Sequence, residues 1–236
     1  GYPRWRLPGA EGLPIRSYSS RTLVVYGARR FVPERLRPRD RHLFRWQDWA
    51  FDRRVAAGLD QGDFLHGLPG QCRDSFARAR ELGMRTVLSH ATGPVAGLEE
   101  VVAPEDRRVG LDFAIETQYD DAYYAREAEE YELADFHWAA SSVVAARLAA
   151  HGVPASRIWT IPYGVDTGVF GPPSSGIDRD PRRLIFAGQL SLRKGIRHVL
   201  GALERLDDPQ VSLEFYGHRM AEVEQLDSET YRYHIV

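Results

Sequence analysis

The chain has one cysteine and one lysine in 236 residues. A lone thiol, Cys72, excludes an intramolecular disulfide and suits a reducing cytosol. No apolar run approaches the roughly 20 residues of a membrane span, and no signal peptide opens the sequence. There is no initiating Met either: Gly1-Tyr2-Pro3-Arg4-Trp5 reads as the middle of a longer protein. Charge of neither sign dominates. A formal net charge of −2 argues against wholesale binding of nucleic acid, which needs uncompensated cations.

Catalytic fingerprints are scarce as well. No Gly-Lys-Ser/Thr closes a Walker A loop, no Gly-x-Gly-x-x-Gly supports a nicotinamide dehydrogenase, and no Gly-x-Ser-x-Gly elbow supports a hydrolase. The eight histidines are scattered without ligand spacing, so zinc is not expected. Asp178-Arg179-Asp180 has the form of an Asp-x-Asp metal motif, yet it sits among turn formers and reads as linker. No metal or other cofactor is expected.

What is present is material for a core: 43% hydrophobic and 11% aromatic residues. The length suits one large domain, or one domain and part of another. Short apolar runs alternate with helical patterns, which predicts an α/β chain with parallel sheets. Strands are expected at Thr22 to Tyr26, Asp63 to His66, Thr86 to Ser89, Phe136 to Ala139 and Arg157 to Ile161. Helices are expected at Gln71 to Leu82 and at Ser142 to His151, the latter closed by Gly152 with Pro154 beyond. Residues 113 to 134 read as one long helix packing on the sheet, with Arg126, Glu127, Glu129, Glu130 and Glu132 on its polar side. Asp120-Asp121 reads as an N-terminal cap.

Turn formers then crowd Pro162 to Gly176 and mark a linker. The expected division is 1–164 as an N-terminal α/β domain, 165–181 as linker, and 182–236 as an incomplete second α/β domain. The second unit is read as a strand Arg183 to Ala187, a helix Gly195 to Leu206 and a strand Val211 to Tyr216. A further helix and strand are expected in Arg219 to Val236, where Glu222, Glu224 and Glu229 read as a solvated helix.

Two regions carry candidate chemistry. The N-terminal quarter interleaves Arg29, Arg30, Arg35, Arg37, Arg39, Arg41, Arg45, Arg53 and Arg54 with Trp46, Trp49 and Phe51, which reads first as a solvated basic face balanced by acids elsewhere and alternatively as a surface for anionic lipid or an acidic acceptor. The only lysine, Lys194, lies in Gly188-Gln189-Leu190-Ser191-Leu192-Arg193-Lys194-Gly195 between a strand and a helix. Loop amides and the positive end of a helix dipole favour an anion there. Arg193 and Lys194 add full charges, so the loop suits a diphosphate and its stabilisation as a leaving group.

With its surroundings this stretch resembles a known family. Arg183-Leu184-Ile185-Phe186-Ala187-Gly188-Gln189-Leu190-Ser191-Leu192-Arg193-Lys194-Gly195-Ile196 resembles the opening of the nucleotide-sugar-binding domain of retaining GT-B glycosyltransferases of family 4. Ile161-Pro162-Tyr163-Gly164-Val165-Asp166 with Phe170 is similar to the family's hinge segment, and Glu130-Tyr131-Glu132-Leu133-Ala134-Asp135 with Ser141 to its long-helix signature. The resemblance implies two facing Rossmann-like domains with a sugar nucleotide held mainly by the C-terminal one. It implies a hydroxyl acceptor (glycan, lipid or small molecule) on the N-terminal side and transfer with retention. Gly188, Arg193 and Lys194 are then donor-phosphate contacts, Tyr163 and Asp166 belong to the hinge or acceptor region, and His90 is a catalytic residue of the cleft.

The sequence departs from the family pattern at Gln189, where an arginine is usual, and no Glu-x7-Glu segment follows before Val236. An alternative therefore stands beside the enzyme: a non-catalytic or split relative that binds a nucleotide or a partner, or associates through an unfinished sheet edge. High Arg and Ala content suggests a bacterial coding sequence. The expected location is the cytoplasm, with peripheral contact at the inner membrane face.

Overall fold

The computed structural model describes residues 20–36, 40–108, 119–172 and 180–218. In chain order the first unit comprises α1 (Ser20–Phe31), α2 (Asp40–Gly58), β1 (Phe64–Gly67), α3 (Arg73–Glu81), β2 (Arg85–His90), α4 (Val95–Arg108), α5 (Asp121–Leu133), β3 (Phe136–Ala139), α6 (Ser142–Ala150) and β4 (Ile158–Thr160). The second comprises β5 (Arg183–Ala187), α7 (Ile196–Leu206) and β6 (Ser212–Tyr216). The chain is thus α/β, as its alternating pattern predicts.

Strands β1 to β4 form a parallel sheet in sequential order. Register places Leu88 against His137 and His90 against Ala139, on one face of the sheet. That face is buried against α3, α5 and α6 through a core of Phe76, Leu88, Tyr131, Ala139, Val144 and Leu148. Side chains of the opposite face stack across strands, Phe136 on Trp159 at 4.2 Å and His66 on Trp138 at 5.6 Å between ring centroids.

Local chemistry explains the element ends. Ser141 accepts a hydrogen bond from the Val144 amide and starts α6, and Asp120 does the same for α5 through Tyr123, as side-chain caps should. Helix α6 ends at His151, with Gly152 at φ +96° and Pro154 following. Helix α3 begins at Cys72, whose side chain makes no cap. Its first turn is satisfied from elsewhere: Glu130 of α5 accepts from the amides of Gly70, Cys72 and Arg73 at 2.5, 3.0 and 3.1 Å. Asp52 of α2 accepts from Asp74 and Ser75 at 2.7 and 2.9 Å. Arg126 lies between the two carboxylates, paired to Asp52 and within 3.5 Å of Glu130 and Asp74. Its guanidinium sits over the Trp49 ring at 5.0 Å.

Three expectations are corrected. Thr22 to Tyr26 is not a strand but part of α1. Only Val25 of that run is buried, the helix packs on α2, and Arg29 and Arg30 in its last turn favour a helix C-terminus. The helix placed at 113 to 134 starts at Asp121, and 113–118 lie outside the described residues. Arg126, Glu127 and Glu130 do not lie on a solvated side. They are buried, Arg126 at 3% and Glu130 at 0% exposure, because the face they share meets α3 and the ends of the strands. Glu129 and Glu132 are exposed as expected.

In the second unit β5 and β6 pair in parallel, and α7 covers them through Leu190, Leu192, Ile196, Leu200 and Phe215. The strand ends meet closely: Gly188 and Gly217 both have positive φ, and a Cβ on Gly217 would overlap the Gly188 carbonyl. The residues 219–236, with the helix and strand expected there, lie outside the described residues, as do Asp178 and Arg179.

The carboxylate pair predicts a specific energetic asymmetry on α5. Glu130→Ala should cost about 3–5 kcal/mol in urea unfolding, because it strips a buried cation of a partner and leaves amides unpaired. Glu129→Ala, one residue earlier and exposed, should stay within about 0.5 kcal/mol. Equal midpoints for the two variants would contradict the capping role.

Candidate functional site

In an open parallel sheet, ligands bind beyond the carboxyl ends of the strands. Here that edge of the first sheet is formed by the 68–72 loop after β1, the 91–94 turn after β2 and the start of α5. Glu130 holds the first loop from below through its amides. Gly70, at φ +84°, lies so close to the Tyr123 ring that a Cβ would reach it at 2.8 Å. Glu127 holds the turn after β2: both carboxylate oxygens lie 3.4 Å from the Val95 amide at the start of α4, and the Tyr131 hydroxyl is 3.5 Å away. Burial pushes the Glu127 carboxyl up to about 7. Burial likewise raises the Cys72 thiol, which makes it a poor nucleophile.

His90 ends β2, as the sequence indicates, but its ring is 1% exposed. Its Nε2 lies 3.0 Å from Nδ1 of His137, the rings stack at 5.2 Å, and the Tyr131 ring meets both edge-on. One proton serves that contact, so the two tautomers are coupled. Burial, with His137 adding, lowers His90 to about 3; burial, with the Arg157 charge adding, lowers His137 to about 4. Both rings are therefore neutral at pH 7. The remaining nitrogens, His90 Nδ1 and His137 Nε2, have no hydrogen-bond partner among the described residues.

The second unit supplies the anion-binding candidates. Gly188 follows β5 with open space on its Cα and a φ of +142°. Gln189, Arg193 and Lys194 are exposed, and the Ser191 hydroxyl is buried without a partner among the described residues. Several loop amides are committed internally: Gly188 to Tyr216, Leu190 to His218, Lys194 to Ser191 and Gly195 to Leu192. The loop is thus less of a backbone cradle than its glycines imply. The exposed cations of the loop are the Arg193 and Lys194 side chains, beside the start of α7, which begins at left-handed Gly195.

This loop meets the first unit at α4. The 3-10 turn Leu192–Lys194 packs on α4, the helix that continues from the His90 turn. The Arg193 charge also acts on the Tyr119 phenol, opposing the upward push of burial and of Glu127. The hinge candidates do not join this group. Tyr163 is exposed, and Asp166 forms its own turn, its carboxylate accepting from the Gly168 amide and its carbonyl from Val169 and Phe170.

Sequence reading missed Asp52, Glu127 as a buried carboxyl, and His137. Only Glu130 lay within a quoted motif. His137 carries a strand-period signal, since it faces the same way as Ala139, but nothing in the sequence pairs it with His90.

No protein-family model matches the chain, and no curated protein does. Solved structures with a similar fold include Anabaena HepE in complex with UDP and glucose, at 14% identity and a TM-score of 0.48, covering 78% of this chain and 50% of that one. The lipopolysaccharide outer core galactosyltransferase WaaB is similar at 14% identity and a TM-score of 0.41, covering 83% and 48%. UDP-GlcNAc 2-epimerase from Neisseria meningitidis is similar at 12% identity and a TM-score of 0.43, covering 83% and 54%. The chain spans about half the length of each.

The histidine pair sets the sign of a pH effect. Bases whose folded pKa is depressed from 6.5 to about 3 and about 4 stabilise the fold above about 6.5, and that stability is lost as pH falls toward 4. Asp48 and Glu127, raised to about 6 and about 7, act in the opposite direction. The comparison is therefore with His137→Gln, whose urea midpoint should fall less between pH 7 and pH 4 than that of the parent. Parallel pH curves would contradict a buried neutral pair.

Proposed function

We propose that the chain belongs to a GT-B glycosyltransferase of the retaining, family-4 type, comprising most of the N-terminal domain and the opening of the C-terminal one. The observation that carries the reading is the β5–loop–α7 unit. It exposes Arg193 and the sole lysine at the carboxyl end of β5, against the helix that continues from the His90 turn. The ordered motifs from Glu130 through Tyr163 and Asp166 to Lys194 support the same reading.

In this reading a nucleoside-diphosphate sugar places its diphosphate on Arg193, Lys194 and the start of α7, with Gly188 allowing the donor to approach the end of β5. The acceptor hydroxyl attacks the anomeric carbon from the face the nucleotide leaves. The bond from that carbon to the diphosphate oxygen breaks, and the hydroxyl proton passes to the departing oxygen. Fixed cations stabilise charge on that oxygen, which is work a metal performs elsewhere. In this reading His90, whose ring and Nδ1 are buried, positions the turn after β2 from within and does not itself meet the donor. Tyr163 and Asp166 lie in the segment joining the two units, where exposure suits a hinge. Gln189 in place of arginine favours the second reading, a relative that binds a nucleotide without transferring sugar.

Calorimetric titration with uridine- and guanosine-diphosphate sugars tests the first step. Lys194→Ala should weaken binding of whichever donor the parent takes at least tenfold, on the order of 1.4 kcal/mol. Unchanged affinity in the variant would overturn the phosphate assignment. Donor binding without release of free nucleotide in the presence of acceptors would support the non-catalytic relative.

A further inference from the structure

The α1–α2 hairpin carries an unusual surface. Val25 and Ala50 are buried, while most other described side chains of α1 are exposed, including Val24 and Tyr26. Exposure peaks at the tip between the helices, where Phe31 is 81% and Leu36 70% exposed. Arginine surrounds that tip: Arg29 and Arg30 end α1, and Arg35 lies in the 3-10 turn Glu34–Leu36. Arg29 also lies 5.4 Å above the Phe44 ring, which ties the basic and aromatic parts of the tip together. On α2, Trp46, Ala50, Arg53, Arg54 and Ala57 line one open depression.

The local charge is as marked as the exposure. Residues 20 to 58 contain ten arginines and four acids, a formal surplus of six positive charges in a chain whose net charge is −2. One of those acids, Asp52, is buried and spent on the start of α3. Helix α1 itself has no acidic residue.

An apolar wedge collared by arginine is what an anionic bilayer surface selects. Aromatic and aliphatic tips enter the boundary between headgroups and acyl chains, while guanidinium groups stay among the phosphates. Each cation near an anionic leaflet adds to the attraction. A second copy of this chain fits poorly, because a symmetric contact sets one basic tip against another. Among the described residues no helix is long and apolar enough to cross a membrane, so the hairpin would rest on the surface.

We infer that the α1–α2 hairpin docks the protein on membranes rich in anionic phospholipid, with Phe31 and Leu36 inserted and Arg29, Arg30 and Arg35 at the headgroups. The contact is independent of the nucleotide reading, since it uses none of its residues.

The test is cosedimentation of the full chain with vesicles of phosphatidylcholine alone and with roughly one-third phosphatidylglycerol, without nucleotide. The anionic vesicles should bind at least tenfold more tightly, and the difference should shrink as salt shortens the screening length. The triple variant Arg29→Gln, Arg30→Gln, Arg35→Gln should lose at least tenfold in affinity for anionic vesicles. Phe31→Ser with Leu36→Ser should lose binding as well, which electrostatic adsorption alone would not do. All of these side chains are exposed, so circular dichroism and urea midpoints should match the parent. No binding to anionic vesicles, or binding that none of these changes reduces, would overturn the inference. Self-association seen by light scattering and abolished by Phe31→Ser would also overturn it, in favour of a contact between copies.

Discussion

A buried ion network, Asp52–Arg126–Glu130, is the constraint on which the first unit depends. Helix α3 starts at a cysteine that cannot cap it, so its first amides need acceptors from other elements. Two carboxylates arrive from α2 and α5, and their mutual repulsion inside the protein is offset by one guanidinium between them. One arrangement thus fixes where three helices meet and closes the loop after β1. A buried pair of this kind contributes little over an apolar substitute, yet losing one member is severe. Its effect is on geometry more than on total stability.

That geometry bears on the candidate site. Glu130 and Glu127 are three residues apart on α5 and hold successive strand-end loops, one at Gly70 to Arg73 and one at Val95. From Val95 the chain runs into α4, and α4 meets the turn bearing Arg193 and Lys194. Buried carboxylates and paired histidines thus lie behind the strand-end loops of the first unit, while Arg193 and Lys194 are exposed on the turn that meets α4. In the proposed reading, that turn presents the charge that meets phosphate.

Much of the architecture was legible in the sequence. Phe136 to Ala139 and Arg183 to Ala187 match β3 and β5 to the residue, because short apolar runs there are bounded by clear polar or turn residues. Ser141, Gly152 and Pro154 marked the ends of α6 by known capping chemistry. Leu23-Val24-Val25 misled because a short β-branched run reads as strand until its neighbours are known, and among the described residues no strand lies beside it to pair with. The polar face assigned to α5 misled for a different reason. Charges spaced three and four apart look the same whether solvent or a buried network receives them, and only Asp52, 74 residues from Arg126, decides between the two. The pairing of His90 with His137 was hidden in the same way, since it depends on register between two strands.

The central claim is that a nucleotide diphosphate meets this chain at the β5–α7 loop. The most direct measurement is a titration of the isotopically labelled full chain with UDP-glucose, followed by amide resonances. The account predicts shifts centred on Gly188 to Arg197, with a second, smaller group at the 91–94 turn and the start of α4. Shifts confined to other surfaces, or none with any diphosphate sugar, would contradict it.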